Sequence, residues 1–406
     1  MEIRELLDLI VRWVHLIAGI MWIGNSMLFN WLDRNLIVRK ETEASKVGLE
    51  GELWMIHSGG FYEVKKMPDL PAQLPGPLHW FWLQATITWV SGFCLLILVY
   101  YMGGAAVTLD PAVSNITQTQ AILIGIGLLI GAWFFYDLFW RSPISKTGSW
   151  PVAFCFALLV VIIYYLTHTF SGRAAYLHVG AMLGTLMIGN VWTHIIPSQR
   201  QLVAAVKRGE KPDNALALRA KQRSIHNNYI TFPVLFIMIS NHFAFTYGHK
   251  WNWIILTVII LGGAGVRHFM NIRFNFKGWI PALVMVITLT IIALLLLTSR
   301  TLWDSSHNAF IPKKKLLGEP VTFLQAEQVI QQRCVACHSS HPTDPDYPVA
   351  PVGVRLDSPE LIKMMAQRIK ARAVLTQTMP LANRTHITPE ERELLGRWID
   401  QGAKVE

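Results

Sequence analysis

Long apolar runs recur along the first 300 positions, and a mixed polar pattern replaces them over the remainder. A helix needs about 20 apolar residues to cross a hydrocarbon core of roughly 30 Å. Eight windows meet that requirement, near 7–31, 79–102, 119–140, 150–169, 174–196, 227–247, 251–270 and 279–299. The windows 150–169 and 279–299 contain no charged residue, whereas Asn228, Asn241 and His242 interrupt the sixth. The first run carries Asp8 and Arg12 and lacks a small-residue cleavage site, so it reads as a span and not as a signal peptide. The pattern predicts an all-α chain: a polytopic membrane bundle of about eight transmembrane helices over 1–300, a linker at 301–318 and a compact domain at 319–406.

A faint internal repeat accompanies the spans. Trp22-Ile23-Gly24-Asn25 is echoed by Met187-Ile188-Gly189-Asn190, Leu78-His79 by Ile225-His226, and Gly131-Ala132 by Gly263-Ala264. Two four-helix repeats would account for these pairs, and so would chance similarity between apolar segments. Charge then orients the bundle. The net charge is +10, yet the basic residues sit in short loops between spans, which fits topology signals facing anionic lipid and not a nucleic-acid groove. The loops 32–78, 141–149, 197–226 and 267–278 hold 18 Lys and Arg, among them Arg200, Lys207, Arg219 and Arg223. Those loops are expected in the cytoplasm. With an even number of spans, the N-terminus and the C-terminal domain then lie on the periplasmic side of a bacterial inner membrane.

The C-terminal region carries the most specific chemistry. Cys334-Val335-Ala336-Cys337-His338 has the C-x-x-C-H spacing of a haem c attachment site. Two thiols three positions apart on a helical turn reach both vinyl groups of the porphyrin, and the adjoining His338 falls beneath the iron. A zinc or redox pair would call for a second cysteine pair or a thioredoxin-like context, and Cys94 and Cys155 lie isolated in apolar runs. Thr322-Phe323-Leu324-Gln325 predicts a capped helix leading into the motif, and Thr388-Pro389-Glu390-Glu391 predicts the start of a final one. Met379, before Pro380, offers a thioether on a loop, and His/Met ligation is the pattern of cytochromes c. Met364 and Met365 compete for that role but fall in a helical stretch. Residues 319–406 thus read as a class I cytochrome c domain with one covalent haem c, its iron held by His338 and Met379.

Histidines inside membranes are usually functional, because polar groups there are costly. His15, His168, His178 and His242 fall toward the outer side, and His79, His194, His226 and His268 toward the cytoplasmic side. Two layers of imidazoles are what intramembrane haem b would require; a polar substrate cavity lined by the same residues is the competing reading. His15, His79, His178 and His226 are the candidate catalytic residues, with His57 and Lys65 added from the loop HSGGFYEVKK. Arg267 is a candidate partner for an anion or simply a topology charge.

Four segments, RWVHLIAGIMWIGN, HSGGFYEVKK, LHWFWLQATITWVSGF and SIHNNYITFPVLF, together with the haem c motif, resemble the membrane-bound, cytochrome c-linked urate oxidases of bacteria. The resemblance spans essentially the whole chain. It implies oxidation of urate to 5-hydroxyisourate in purine breakdown, with electrons leaving through the haem c to a respiratory acceptor, either a soluble cytochrome c or a terminal oxidase. Without the resemblance, two alternatives stay open: a membrane dehydrogenase for another small substrate such as a quinol, and a non-catalytic electron-transfer subunit. P-loop, Rossmann and H-E-x-x-H motifs are absent from the sequence.

Overall fold

A computed structural model describes residues 3–37, 51–67, 76–103, 105–111, 113–298, 320–347 and 349–405. The expected linker at 301–318 lies outside the described residues. The first part is a helical bundle: α1 (Ile3–Asn35), α2 (Leu83–Leu95), α3 (Ala105–Thr108), α4 (Gln118–Arg141), α5 (Trp150–Thr167), α6 (Gly172–Asn190), α7 (Ile196–Lys207), α8 (Asn214–Ile239), α9 (Ala244–Tyr247), α10 (Asn252–Ile272) and α11 (Trp279–Thr298). Among the described residues, seven helices are long and apolar enough to cross a membrane by length and composition. These are α1, α2, α4, α5, the continuous α6–α7 rod, α10 and α11. α11 buries none of its residues and presents Val284, Leu289, Leu295 and Leu296 outward, a surface compatible with lipid.

The sixth expected span departs from the prediction. α8 starts at Asn214 and ends at Ile239, followed by a short 3₁₀ turn at Ser240–His242, so the run to 247 is broken. The reason is local: Arg223, Asn227, Asn228 and Thr231 in its middle are buried against the bundle interior, so this stretch satisfies its polar groups there instead of presenting apolar residues to lipid. The all-α expectation also needs amending at one place. Gly51–His57 (β1) and Gly60–Lys66 (β2) form an antiparallel hairpin, with His57 opposite Gly60 across a two-residue Ser58-Gly59 turn. Both turn residues have positive φ, the conformation that tight hairpins require.

α6 is the axis of the bundle. Its small residues Ala174, Ala175 and Ala181 let neighbouring helices approach closely, and most of its length is buried. Two π-helical segments interrupt the rods, at Leu96–Tyr101 after α2 and at Val191–Ile195 after α6. Such widened turns re-aim side chains and are frequent at functional sites.

The C-terminal residues form a second hydrophobic core from α12 (Phe323–Arg333), α13 (Pro359–Ile369) and α14 (Pro389–Asp400). Thr322 and Thr388 cap α12 and α14 through capping boxes with Gln325 and Glu391, as the sequence predicts. α12 packs on α14, with the Phe323 and Trp398 rings 6.0 Å apart.

Candidate functional site

A cavity of about 580 Å³ opens between α1, α2, α6 and α8. Its size falls within the roughly 300–1,000 Å³ of small-molecule sites. The walls are mainly apolar and aromatic, including Trp22, Trp89 and Phe93, and a few polar groups converge on the space: Arg12, His15, Tyr100, Arg173, Asn241 and His242. His15 Nδ1 lies 2.9 Å from the Thr88 carbonyl and 3.1 Å from Ser91 Oγ. Donation from Nδ1 to that carbonyl leaves Nε2 with its lone pair. Arg173 donates through Nε to Asn241 Oδ1 at 2.9 Å and stands 5.8 Å from the centre of the Tyr100 ring. Tyr100 is only 4% exposed, and its hydroxyl stands beside Asn241 and Arg173 without a well-aligned hydrogen bond among the described residues. A buried hydroxyl without such a bond carries a desolvation cost that a bound polar ligand would relieve.

His178 sits behind this wall, fully buried. Its Nδ1 contacts the Ala174 carbonyl at 2.8 Å and its Nε2 the Tyr101 hydroxyl at 3.2 Å, and the Phe170 ring packs 4.7 Å away. Gly125 provides the remaining space, since a Cβ there would come within 2.8 Å of His178 Nε2. Gly125→Val is therefore expected to destabilise the bundle by about 1–3 kcal/mol through overpacking, read as a lower thermal midpoint in detergent. The same enclosure bears on intramembrane haem b. His178 has both nitrogens engaged and rings packed against it, which leaves no face for a porphyrin. The residues around it do not fit that group.

One helical turn below the cavity floor lies a second polar cluster. Asp137 on α4 accepts hydrogen bonds from His194 Nε2 and, at 3.1 Å, from Arg223 Nη2, and pairs with Arg141 at 2.8 Å. Arg223 reaches Asn190 Oδ1 at 3.4 Å. Asn190 donates to the Tyr136 hydroxyl at 3.0 Å and to Asn227 Oδ1 at 2.8 Å. Tyr136 in turn bonds His226 Nδ1 at 2.6 Å, and Trp140 packs on that imidazole at 4.3 Å. Arg267 lies apart from these, buried and donating to Asn228 Oδ1 at 2.8 Å.

The sequence-predicted residues therefore separate. His15 lines the cavity, His178 supports its wall, and His226 belongs to the lower cluster. His57 and Lys65 lie exposed on the hairpin, with Lys65 paired to Glu63 at 2.9 Å, and His79 is exposed ahead of α2. These three are not brought to the cavity. Arg173, Tyr100, Asp137 and Tyr136 were not singled out by sequence reasoning.

In the C-terminal domain, Cys334, Cys337 and His338 share one tight turn, closed by His338 N–H donating to the Cys334 carbonyl at 2.9 Å. His338 Nδ1 donates to the Val354 carbonyl at 3.1 Å, which frees Nε2 for a metal, and burial lowers its pKa, keeping the ring neutral. Burial pushes the Cys334 thiol up to about 12 and the Cys337 thiol up to about 11. Neither would be a thiolate at neutral pH, which disfavours a redox dithiol pair. Met379 is held on its loop by Arg392, which donates to the Met379 carbonyl at 2.7 Å. Met364 is 65% exposed on α13, and Met365 packs on the core beneath it. The donor set Cys334, Cys337, His338 and Met379 fits a covalent haem.

A family model described as urate oxidase N-terminal matches residues 1–298. The chain belongs to that family. No curated protein sequence and no solved structure matches the chain. Membership in the urate oxidase N-terminal family gives the chain a urate-related oxidative role and places it among oxidoreductases. The matched region contains the whole cavity and the lower cluster.

Proposed function

We propose that the chain is a membrane-bound oxidoreductase that converts urate to 5-hydroxyisourate in the α1–α2–α6–α8 cavity and passes the electrons to a haem c on residues 319–406. One observation carries the reading: the cavity joins a guanidinium, a buried hydroxyl without a well-aligned hydrogen bond and flat aromatic walls. That combination suits a planar, anionic, hydrogen-bonding purine. Arg173 would hold the charge of the urate anion, the Tyr100 hydroxyl would donate to one of its oxygens, and the Trp89 and Phe93 faces would enclose the rings. His15, through Nε2, would take the proton released as the purine is oxidised and water adds. Haem c, when bound, accepts electrons one at a time.

The end of the bundle that carries Arg173 and Tyr100 also receives the C-terminal domain. Arg372 donates to the Tyr247 hydroxyl at 3.4 Å, and a Cβ at Gly248 would meet Thr378 and Thr376 within 2.9 Å. The 376–383 loop with Met379 therefore lies against this end, near α3. This arrangement supports electron exit from the cavity to the haem side without a relay across the full membrane. α8 runs from the Asp137 end of the bundle to the Arg173 end, so with the seven apolar helices it makes an even number of passes. In the proposed topology the Arg173 end is then periplasmic, in a bacterial inner membrane, and the final acceptor is a soluble cytochrome c or a terminal oxidase. The test is anaerobic turnover of purified holo-protein with urate and cytochrome c. Stoichiometric cytochrome c reduction with 5-hydroxyisourate formed supports the reading; urate left unchanged while a quinol is oxidised rejects it.

A further inference from the structure

The cluster below the cavity is not explained by binding or by electron exit. Asp137, His194, Asn190 and Arg223 are each less than 10% exposed. Ion clusters buried in proteins seldom add net stability over apolar residues of the same shape, and charged groups within membrane spans are costly. Its continuity suggests what it does. Met187 and Thr231 line the cavity floor, and both bond Asn227: its Nδ2 donates to the Met187 backbone carbonyl at 2.9 Å, and the Thr231 hydroxyl donates to the Asn227 backbone carbonyl at 2.8 Å. From Asn227 the hydrogen bonds run through Asn190 to the Tyr136–His226 pair and through Arg223 to the Asp137–His194 pair. They end at Arg141, whose side chain is 57% exposed at the end of α4 away from the C-terminal domain.

Urate oxidation releases protons as well as electrons. The urate anion and water give neutral 5-hydroxyisourate, one proton and two electrons. If the electrons leave toward the 376–383 loop, the protons need their own way out of an apolar cavity. We propose that water ordered on the Asn227 and Asn190 amides hands these protons to the Tyr136–His226 and Asp137–His194 pairs, which carry them to the end of the bundle opposite the C-terminal domain. Each pair couples a proton donor to an acceptor within one hydrogen bond, and Arg141 holds Asp137 at the mouth. The inference rests on the urate-oxidising reading. Its consequence is separation of charge, with electrons released on one side and protons on the other.

The test uses full-length holo-protein in sealed vesicles with a trapped pH indicator and urate on both sides. Impermeant ferricyanide is added outside, so only molecules whose C-terminal domain faces outward turn over. The inference predicts acidification of the lumen, one proton per two ferricyanide reduced, collapsed by a protonophore. In Asp137→Asn, lumenal acidification and steady turnover should fall at least tenfold while dithionite still reduces the haem. Tyr136→Phe, which keeps every charge of the cluster, is the second variant should the first not fold, and a similar fall is expected. Ferricyanide reduction with the protons appearing outside would overturn this inference alone, as would folded variants that acidify the lumen like the parent. Absence of any urate-dependent ferricyanide reduction would overturn the urate reading and this inference with it.

Discussion

Replacing His338 by Gln should reduce urate-dependent turnover to background while leaving the haem covalently attached through Cys334 and Cys337. The imidazole is the neutral donor whose ring is already oriented by the Val354 carbonyl, and no other histidine shares its turn. A glutamine has no comparable ligand for the iron, so the low-spin spectrum should be lost. Haem staining on a denaturing gel separates this outcome from failed attachment. Met379→Leu should act more mildly. It keeps the histidine ligand and removes the thioether that raises the potential. A smaller fraction of haem reduced by urate at equilibrium, with attachment unchanged, is the expected result.

Arg173→Gln should raise the KM for urate by roughly 30- to 700-fold, with a much smaller change in kcat. Truncating one partner of a desolvated charge pair costs about 2–4 kcal/mol, and each 1.4 kcal/mol is tenfold. Arg173 stands beside the Tyr100 hydroxyl, and the other guanidinium lining the cavity, Arg12, is already paired with Asp8, so loss of Arg173 leaves the anion uncompensated where the walls are apolar. Arg173→Lys keeps the charge but loses the planar fork that reaches Asn241, and should recover part of the affinity. Initial rates over a urate series, with circular dichroism as a folding control, check both variants. An unchanged KM in folded Arg173→Gln protein would remove Arg173 from the site.

What the sequence disclosed and what it concealed follow from the range of the interactions involved. Thr322 and Thr388 were legible as caps because a cap is decided within four residues. The long apolar helices were legible because hydropathy needs no tertiary context. α8 was legible only in part: its bounds shift to Asn214–Ile239, and its polar middle is satisfied by other helices, which window hydropathy cannot see. The hairpin was missed although GELWMIH and GFYEVKK are each strand-length segments flanking a Ser58-Gly59 turn. Arg223 was counted as a topology charge, and its true partner lies 86 positions away. Asp137 did leave a signal: it is the lone carboxylate within the span 119–140, and a carboxylate at such a position usually has a task. Tyr100 and Arg173 left none, because the cavity they share forms only when α2 and α6 come together.

The central claim, that urate in the cavity delivers electrons to the haem c of the same chain, is tested most directly by the visible spectrum of oxidised holo-protein before and after anaerobic addition of urate. The account predicts prompt appearance of reduced c-type bands, no b-type band, and two haems reduced per urate consumed when protein is in excess. A spectrum that stays oxidised with urate, in protein whose haem dithionite readily reduces, would contradict it.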